Sequence, residues 1–390
     1  MNERIYLDYN ATTPLLPEAW QAMEPFCRQE FGNASSVHRE GQRARAALER
    51  ARHQLAALLG AEPDDIVLTS GATEAINFAI QGRAYHARAL GLGNHLVTSV
   101  IEHPAVLNAC RQLAADDFRL TEVEVGPSGV VDSTAVLDAL TPETILVSVM
   151  AVNNELGTIQ PVNEIARGCR ERQVIFHCDA AQACGKIAVD VAAWGVDLLS
   201  FSAHKFYGPK GIGGLYIRPG TEMRPLLFGG RHERGRRAGT ENVAAAVGAG
   251  VAAEWVLAHL EAEAARVKQL RNIFEQTLLK RVSGSWVNGD ISRRVANTSN
   301  LGFQAAEGET LVIGLDLEGL AASFGSACSS GSLKPSHVLK AIGLGPQQAQ
   351  ASVRFSLGRE TTDEQIQHAT DMVERVVAKL RHPSKRAFAS

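Results

Sequence analysis

Apolar residues recur along the chain at two spacings, and the two take turns. Over residues 43–59 they repeat with the period of a helix, and Gly60 follows as a stop. Ile66-Val67-Leu68-Thr69-Ser70 then reads as a short strand running into Gly71-Ala72-Thr73-Glu74, the opening of another helix. Strand character over 95–100 gives way to a helix reaching about residue 115, then to extended residues over 118–125 and an apolar run over 145–150. Further strands are predicted over 174–179, 198–202 and 214–218. Several of these runs are apolar without clean alternation, as expected of strands covered on both faces. Helix and strand in alternation predict α/β layers around a mostly parallel sheet, with the ligand crevice beyond the strand C-termini. Thr73, His103, Asn154, Asp179, Ser202, His204 and Lys205 all fall at those ends.

From 242 to about 280 the chain is alanine-rich and helix-like, which predicts one long linking helix or a kinked pair. Residues 295–390 mix extended pieces with helical ones over 309–315 and 363–380, the pattern of a smaller α/β domain. The expected division is an N-terminal segment 1–15 packing on the small domain, a large domain 16–255, a small domain 256–380 including the linking helix, and a polar tail 381–390.

Composition narrows the function classes. A length of 390 residues with 45% hydrophobic content suits one large and one smaller core. Thirty-nine basic against 42 acidic residues leave a net charge of −3, which predicts neither a nucleic-acid footprint nor a solvating acidic tail. The main local exception is the cluster Arg231, Arg234, Arg236 and Arg237. The first residues lack the pattern of a secretory signal and no run reads as a bilayer span, so a cytoplasmic protein without membrane partners is expected. Six cysteines show no CxxC pair and no compact metal-ligand spacing, which predicts reduced thiols.

Four local patterns carry chemistry. Lys205 follows a strand and a polar turn, and Gly208-Pro209 stops regular structure beyond it. Such an amine can form a Schiff base with an aldehyde cofactor, although a loop lysine beside an ordinary turn fits the same residues. Asp179 ends an apolar strand, where a carboxylate is costly to bury without a cationic or donor partner. A protonated pyridine nitrogen is one such partner, with Gln182 donating to the ring oxygen; a simple helix N-cap is the other reading. Gly71, Ala72 and Thr73 place backbone N–H groups and a hydroxyl at a strand-to-helix junction suited to phosphate, with Ser202 and His204 closing the cup. Cys328 lies in Gly325-Ser326-Ala327-Cys328-Ser329-Ser330-Gly331-Ser332, which reads either as an accessible thiol on a mobile loop or as an incidental cysteine among small residues.

These patterns occur in order with Leu7-Asp8-Tyr9-Asn10-Ala11-Thr12-Thr13-Pro14, Phe31-Gly32-Asn33-Ala34-Ser35-Ser36-Val37-His38, Val152-Asn153-Asn154-Glu155-Leu156-Gly157, Arg237-Ala238-Gly239-Thr240-Glu241-Asn242 and Val353-Arg354-Phe355-Ser356-Leu357-Gly358. The whole set, from residue 7 to about residue 380, resembles the cysteine desulfurases of the NifS/IscS type. The resemblance implies the aspartate-aminotransferase-like fold type I, pyridoxal 5'-phosphate as cofactor, and a homodimer with sites at the subunit boundary. It implies Lys205 as the Schiff-base lysine, His103 over the pyridine ring, Asp179 on its nitrogen and Gln182 on its oxygen. Thr73, Ser202 and His204 would hold phosphate, joined by Thr240 of the other subunit. Asn154 and Arg354 would hold the carboxylate of L-cysteine, and Cys328 would receive its sulfur.

The resemblance also implies an iron–sulfur scaffold or sulfur-carrier protein as partner. No metal is expected in the catalytic site, though Cys328 would carry sulfur or help ligate a cluster with that partner. The loop 323–332 is similar to the longer form of the NifS/IscS branch, whereas 380–390 does not match the tail of housekeeping IscS proteins. Selenocysteine lyase or a related aminotransferase is the nearest enzymatic alternative, and a non-catalytic partner-binding homologue the alternative of another class.

Overall fold

A computed structural model describes residues 4–325 and 335–381. Among them the strands are β1 (Ile5–Tyr6), β2 (Ile66–Thr69), β3 (His95–Ser99), β4 (Arg119–Val123), β5 (Thr144–Ser148), β6 (Ile175–Asp179), β7 (Leu198–Ser202), β8 (Gly213–Ile217), β9 (Ser285–Val287), β10 (Thr298–Phe303), β11 (Leu320–Ala321) and β12 (Ser352–Ser356). Seven form the main sheet in the order β2-β8-β7-β6-β5-β3-β4. β7, β6, β5, β3 and β4 pair in parallel, while β8 runs antiparallel to both of its neighbours. β2 therefore points the same way as β7, and every strand except β8 ends on one side of the sheet.

The sheet is covered on both faces, as its apolar strands predict. Ile66 and Leu68 of β2 face a core built with the helix Arg39–Leu59, whereas Val67 between them faces the core of the helices Ala72–Ala89 and Pro104–Ala115. The same period of two sends Leu199 and Phe201 to the first core and Leu198 to the second. Gly60 ends the helix Arg39–Leu59 in the left-handed conformation, φ 62°, which gives physical content to the stop read from the sequence.

A separate core joins residues from both ends of the chain. Ile5 and Leu7 pack with Phe274, Leu301, Phe355 and Val373. β1 pairs in parallel with β11, and Asp8 bridges to Ser356. β12, β10 and β9 make an antiparallel sheet behind this segment.

The alanine-rich stretch forms a single helix, Val243–Arg281, unbroken through the expected boundary at 255/256. Ala245, Ala249 and Val256 enter the core beside the main sheet, while Val267, Leu270 and Phe274 enter the one formed with the chain termini. By length and composition this helix could cross a bilayer, which corrects the expectation that no run reaches that length. Small side chains raise its hydropathy and also let it approach a neighbour closely: a Cβ at Gly250 would meet the Cα of Ala51 at 2.8 Å.

The segment holding the arginine cluster is fastened to the main sheet by Glu233. Its carboxylate takes both Nη atoms of Arg52 at 2.8 Å and the N–H of Leu68 at 2.9 Å, with both side chains buried. Removing one partner of such a pair strands the other without water. Glu233→Ala should therefore lower stability by about 3–5 kcal/mol, measured by urea unfolding, whereas Asp64→Ala at the exposed Arg234 pair should cost under about 1 kcal/mol.

Candidate active site

Because β2, β3, β5, β6 and β7 end together, the turns after them converge. They enclose a cavity of about 340 Å³ lined by Thr73, His103, Asn154, Asp179, Gln182 and Lys205, among others. Gly71, Ala72, Ser202 and His204 also line it. Residues from five separate strand ends, all singled out in the sequence, thus share one space.

Gly71 makes the first turn possible. Its φ of 150° favours glycine, and the helix Ala72–Ala89 starts immediately after it with its N-terminus at the cavity. Gly213 lets β8 come close: a Cβ there would meet the Cα of Gly71 at 2.7 Å. Glu74 in the same helix turn accepts from the N–H of Ser70 at 2.8 Å and pairs with Arg237 at 2.8 Å. That pairing holds its carboxyl below the usual range despite burial. Its charge is thereby engaged, leaving the positive end of the helix to act on an anion in the cavity.

Lys205 ends a short 3-10 turn, Ala203–Lys205, directly after β7. Its Nζ donates to the backbone oxygens of Asn10 at 2.7 Å and Ala11 at 2.8 Å, so the N-terminal segment lies against the amine. Asp179 is buried at the end of β6 and accepts from the N–H of Ala181 at 2.9 Å. Burial pushes its pKa up to about 6, against the opposing effects of that hydrogen bond and of Lys205. The two sequence readings of Asp179 thus coexist: it caps the following turn and remains a buried anion suited to a cationic ligand atom.

His103 caps the helix Pro104–Ala115, its Nδ1 accepting from the N–H of Ala105 at 3.1 Å. Burial, then Lys205 and His337, lower its pKa to about 4. The ring is therefore neutral at neutral pH, and with Nδ1 accepting, its proton resides on Nε2. His204, with Nδ1 3.1 Å from the hydroxyl of Thr12, is likewise lowered to about 4 by burial and the nearby lysines.

Arg354 is 2% exposed on β12 and does not line the cavity, but it joins it through Asn154. Its Nη1 donates to the Asn154 carbonyl at 3.0 Å and its Nη2 pairs with Asp8 at 2.7 Å. Its Nε is buried and meets no acceptor among the described residues. A buried donor left unsatisfied is costly, and a ligand carboxylate would satisfy it.

Thr240 is exposed and does not line the cavity within this chain. Cys328 lies outside the described residues. Sequence reasoning assigned no role to Asp8, Asn10, Glu102 or Lys186, which the structure places around the site. Asp8 and Asn10 stood inside a quoted motif, which was the available signal. Buried Glu102, next to His103, accepts from Ser99 Oγ at 2.6 Å and the N–H of Met150 at 3.1 Å, and burial pushes it up to about 8. Lys186 offered no sequence signal.

The cavity fits pyridoxal 5'-phosphate by its donor set: a helix N-terminus with hydroxyls for phosphate, a lysine amine, and the carboxylate of Asp179 buried at the end of β6. The family model for aminotransferase class V matches residues 5–368. A protein of Dictyoglomus turgidum described as cysteine desulfurase IscS is 47% identical over 381 residues, covering 98% of this chain and 96% of that protein. A cysteine desulfurase of Gluconacetobacter diazotrophicus is 47% identical over 382 residues, covering 97% and 95%. Among solved structures, a NifS-like protein superposes with a TM-score of 0.90 at 35% identity, covering 96% of this chain and 99% of that one. SspA in complex with cysteine gives 0.81 at 37% identity, covering 92% and 100%. With its α/β fold, its convergent strand-end site and full-length relatives of one kind, the chain belongs to the class-V aminotransferase family and, within it, to the NifS/IscS-type cysteine desulfurases.

Proposed function

We propose that this chain, with pyridoxal 5'-phosphate in the cavity, converts L-cysteine to L-alanine and transfers the sulfur to Cys328 as a persulfide. The observation that carries this reading is the meeting of Lys205, His103 and Asp179 in one cavity, with Arg354, whose buried Nε has no acceptor among the described residues, tied to its edge through the Asn154 carbonyl. Lys205 would hold the cofactor through its amine, Asp179 would face the ring nitrogen, Gln182 the ring oxygen and His103 the ring face. Thr73, Ser202, His204 and the N-terminus of the helix Ala72–Ala89 would hold the phosphate, with Thr240 supplied by a second copy of the chain. When bound, the cofactor supplies an electron-accepting ring that stabilises negative charge at the substrate Cα.

The protein groups then divide the work. Arg354, oriented by Asp8 and the Asn154 carbonyl, fixes the substrate carboxylate and so the direction of the Cα–H bond. The Lys205 amine removes that proton as general base. The thiolate of Cys328 attacks the substrate sulfur: an S–S bond forms, the Cβ–S bond breaks, and its electron pair stays with the substrate carbon. Two protonations, at Cβ and Cα, then give alanine. His103, neutral with its proton on Nε2, would exchange a proton with the departing sulfur. The persulfide would pass to a sulfur-carrier or iron–sulfur scaffold protein.

After incubation of the holoenzyme with cysteine, mass spectrometry should find the mass of added sulfur on the Cys328 peptide, with alanine formed alongside. Cys328→Ala should keep the cofactor's visible absorption and lose at least about 100-fold in turnover, whereas Lys205→Ala should lose the lysine-bound absorption band as well. Keto acid in place of alanine, or parent-rate sulfide release by the Cys328 variant, would overturn the reading. Arg354→Lys keeps the charge but not the planar fork, and should raise KM for cysteine by about 10-fold or more in steady-state assays. Asp179→Asn should retain the phosphate contacts but lower kcat by about 100-fold, because an amide does not hold a proton on the ring nitrogen.

A further inference from the structure

Lys205 is followed by a bend that its residues do not favour. Tyr207 has a φ of 68°, in the left-handed region, where a bulky side chain is an outlier. Gly208 beside it serves close packing instead: a Cβ there would meet the Cβ of Ala203 at 2.7 Å. The N–H groups of Phe206 and Gly208, at 3.0 and 2.9 Å from the Ala203 carbonyl, close the turn that carries the lysine. Backbone strain of this kind persists only where the surroundings hold it, and it concentrates at functional sites.

What holds Tyr207 comes from three distant parts of the chain. Its N–H donates to Thr13 Oγ1 at 2.7 Å and its carbonyl accepts from the N–H of Leu16 at 2.9 Å. Its hydroxyl accepts from the N–H of Arg359 at 3.0 Å, after β12. Its ring stands edge-on to Trp255 of the helix Val243–Arg281, with centroids 5.5 Å apart.

Thr13 also reaches the other side of the lysine. Its Oγ1 donates to the His204 carbonyl at 3.0 Å, and its N–H donates to the same oxygen at 2.9 Å. One hydroxyl thus grips residues 204 and 207 together, using its proton on one and a lone pair on the other. The His204 carbonyl keeps the Thr13 N–H if that hydroxyl is removed. The N–H of Tyr207 makes no other hydrogen bond among the described residues, and Thr13 is buried, so the same change strands a donor at the strained bend.

We propose that Thr13 is a positioning residue of this reaction: its hydroxyl holds the left-handed bend at Tyr207 and thereby sets where the Lys205 amine stands as general base. A misplacement of about 1 Å at a reacting group costs up to about 100-fold in rate. The substrate carboxylate is held elsewhere, by Arg354, so the effect falls on kcat and not on KM. The proposal rests on the assignment of Lys205 as the cofactor-binding lysine and base.

Thr13→Val keeps the shape of the side chain and removes the hydroxyl, and Thr13→Ser restores it. In steady-state assays of the holoenzyme, Thr13→Val should lower kcat by about 10-fold with KM for cysteine within about 2-fold, and Thr13→Ser should stay within about 2-fold on both. With Thr13→Val, cysteine deuterated at Cα should turn over at least about 2-fold more slowly than ordinary cysteine, because proton removal by the displaced amine limits the rate. Independently of turnover, the visible circular dichroism of the lysine-bound cofactor, per unit absorbance, should fall in the same variant. Thr13→Ala gives the same comparisons should valine pack poorly. A merely structural role would lower the thermal unfolding midpoint and leave kcat and dichroism at parent values. Parent kcat in either variant overturns the proposal, as does slower turnover without the isotope effect, without the loss of dichroism or without rescue by serine. If Lys205→Ala retains the lysine-bound band, the assignment of Lys205 fails instead, so the two failures are distinguishable.

Discussion

Asn10 uses all four of its polar atoms to join parts of the chain that are far apart in sequence. Its N–H donates to Ser356 Oγ at 2.9 Å, and its side-chain nitrogen donates to the Asn154 carbonyl at 3.2 Å and Thr298 Oγ1 at 2.9 Å. Its side-chain oxygen accepts from Asn297 and Lys186, and its carbonyl from Lys205 and Gln182. Ser356, Asn297 and Thr298 belong to the small β-sheet and its approach; Asn154, Gln182 and Lys205 belong to the strand ends of the main sheet. The core beside the main sheet and the one formed with the chain termini meet across this polar seam, and the Lys205 amine hangs from its centre. Buried hydrogen bonds are expensive to leave unmade, so the seam has one satisfactory arrangement, and that arrangement sets where Lys205 points.

Around the seam, burial pushes ionisable groups towards their neutral forms. His103 and His204 fall to about 4, Glu102 rises to about 8 and Asp179 to about 6. Burial of this kind gives large weight to the charges that remain, because buried charges are screened less than exposed ones. The phosphate, ring nitrogen and carboxylate of the proposed ligands would each meet a fixed counterpart: a helix N-terminus, Asp179 and Arg354.

Much of this was legible in the sequence, for identifiable reasons. β7 matches the strand read over 198–202 to the residue, because an apolar run stands between Asp197 and the polar turn at Lys205. Thr73, His103, Asn154, Asp179, Gln182, Ser202, His204 and Lys205 reach one cavity because strand C-termini in such sheets share a side. The antiparallel direction of β8 was not legible, since an apolar strand reads the same in either direction. Nor could apolar spacing settle the helix Val243–Arg281, where alanine and glycine surround the axis without a sharp polar face. Lys186 looks like any lysine until Asn10, 176 positions earlier, is brought beside it.

Thiol chemistry narrows the choice of sulfur acceptor. Cys178 stands next to Asp179 in sequence and is the tempting candidate, but it is buried in the core and its thiol is raised well above the usual range by burial and by Asp179. Burial likewise pushes Cys110, Cys169 and Cys184 up to about 12, so none supplies thiolate at neutral pH. Cys27 is exposed on the helix Pro17–Arg28, which contributes nothing to the cavity. A nucleophile that is to meet the sulfur of a substrate in the cavity needs both a thiolate and access. Of the six cysteines, five fail one requirement or the other on the observed packing. The proposed role of Cys328, which the resemblance to NifS/IscS-type desulfurases implies, thus meets no competitor among these five.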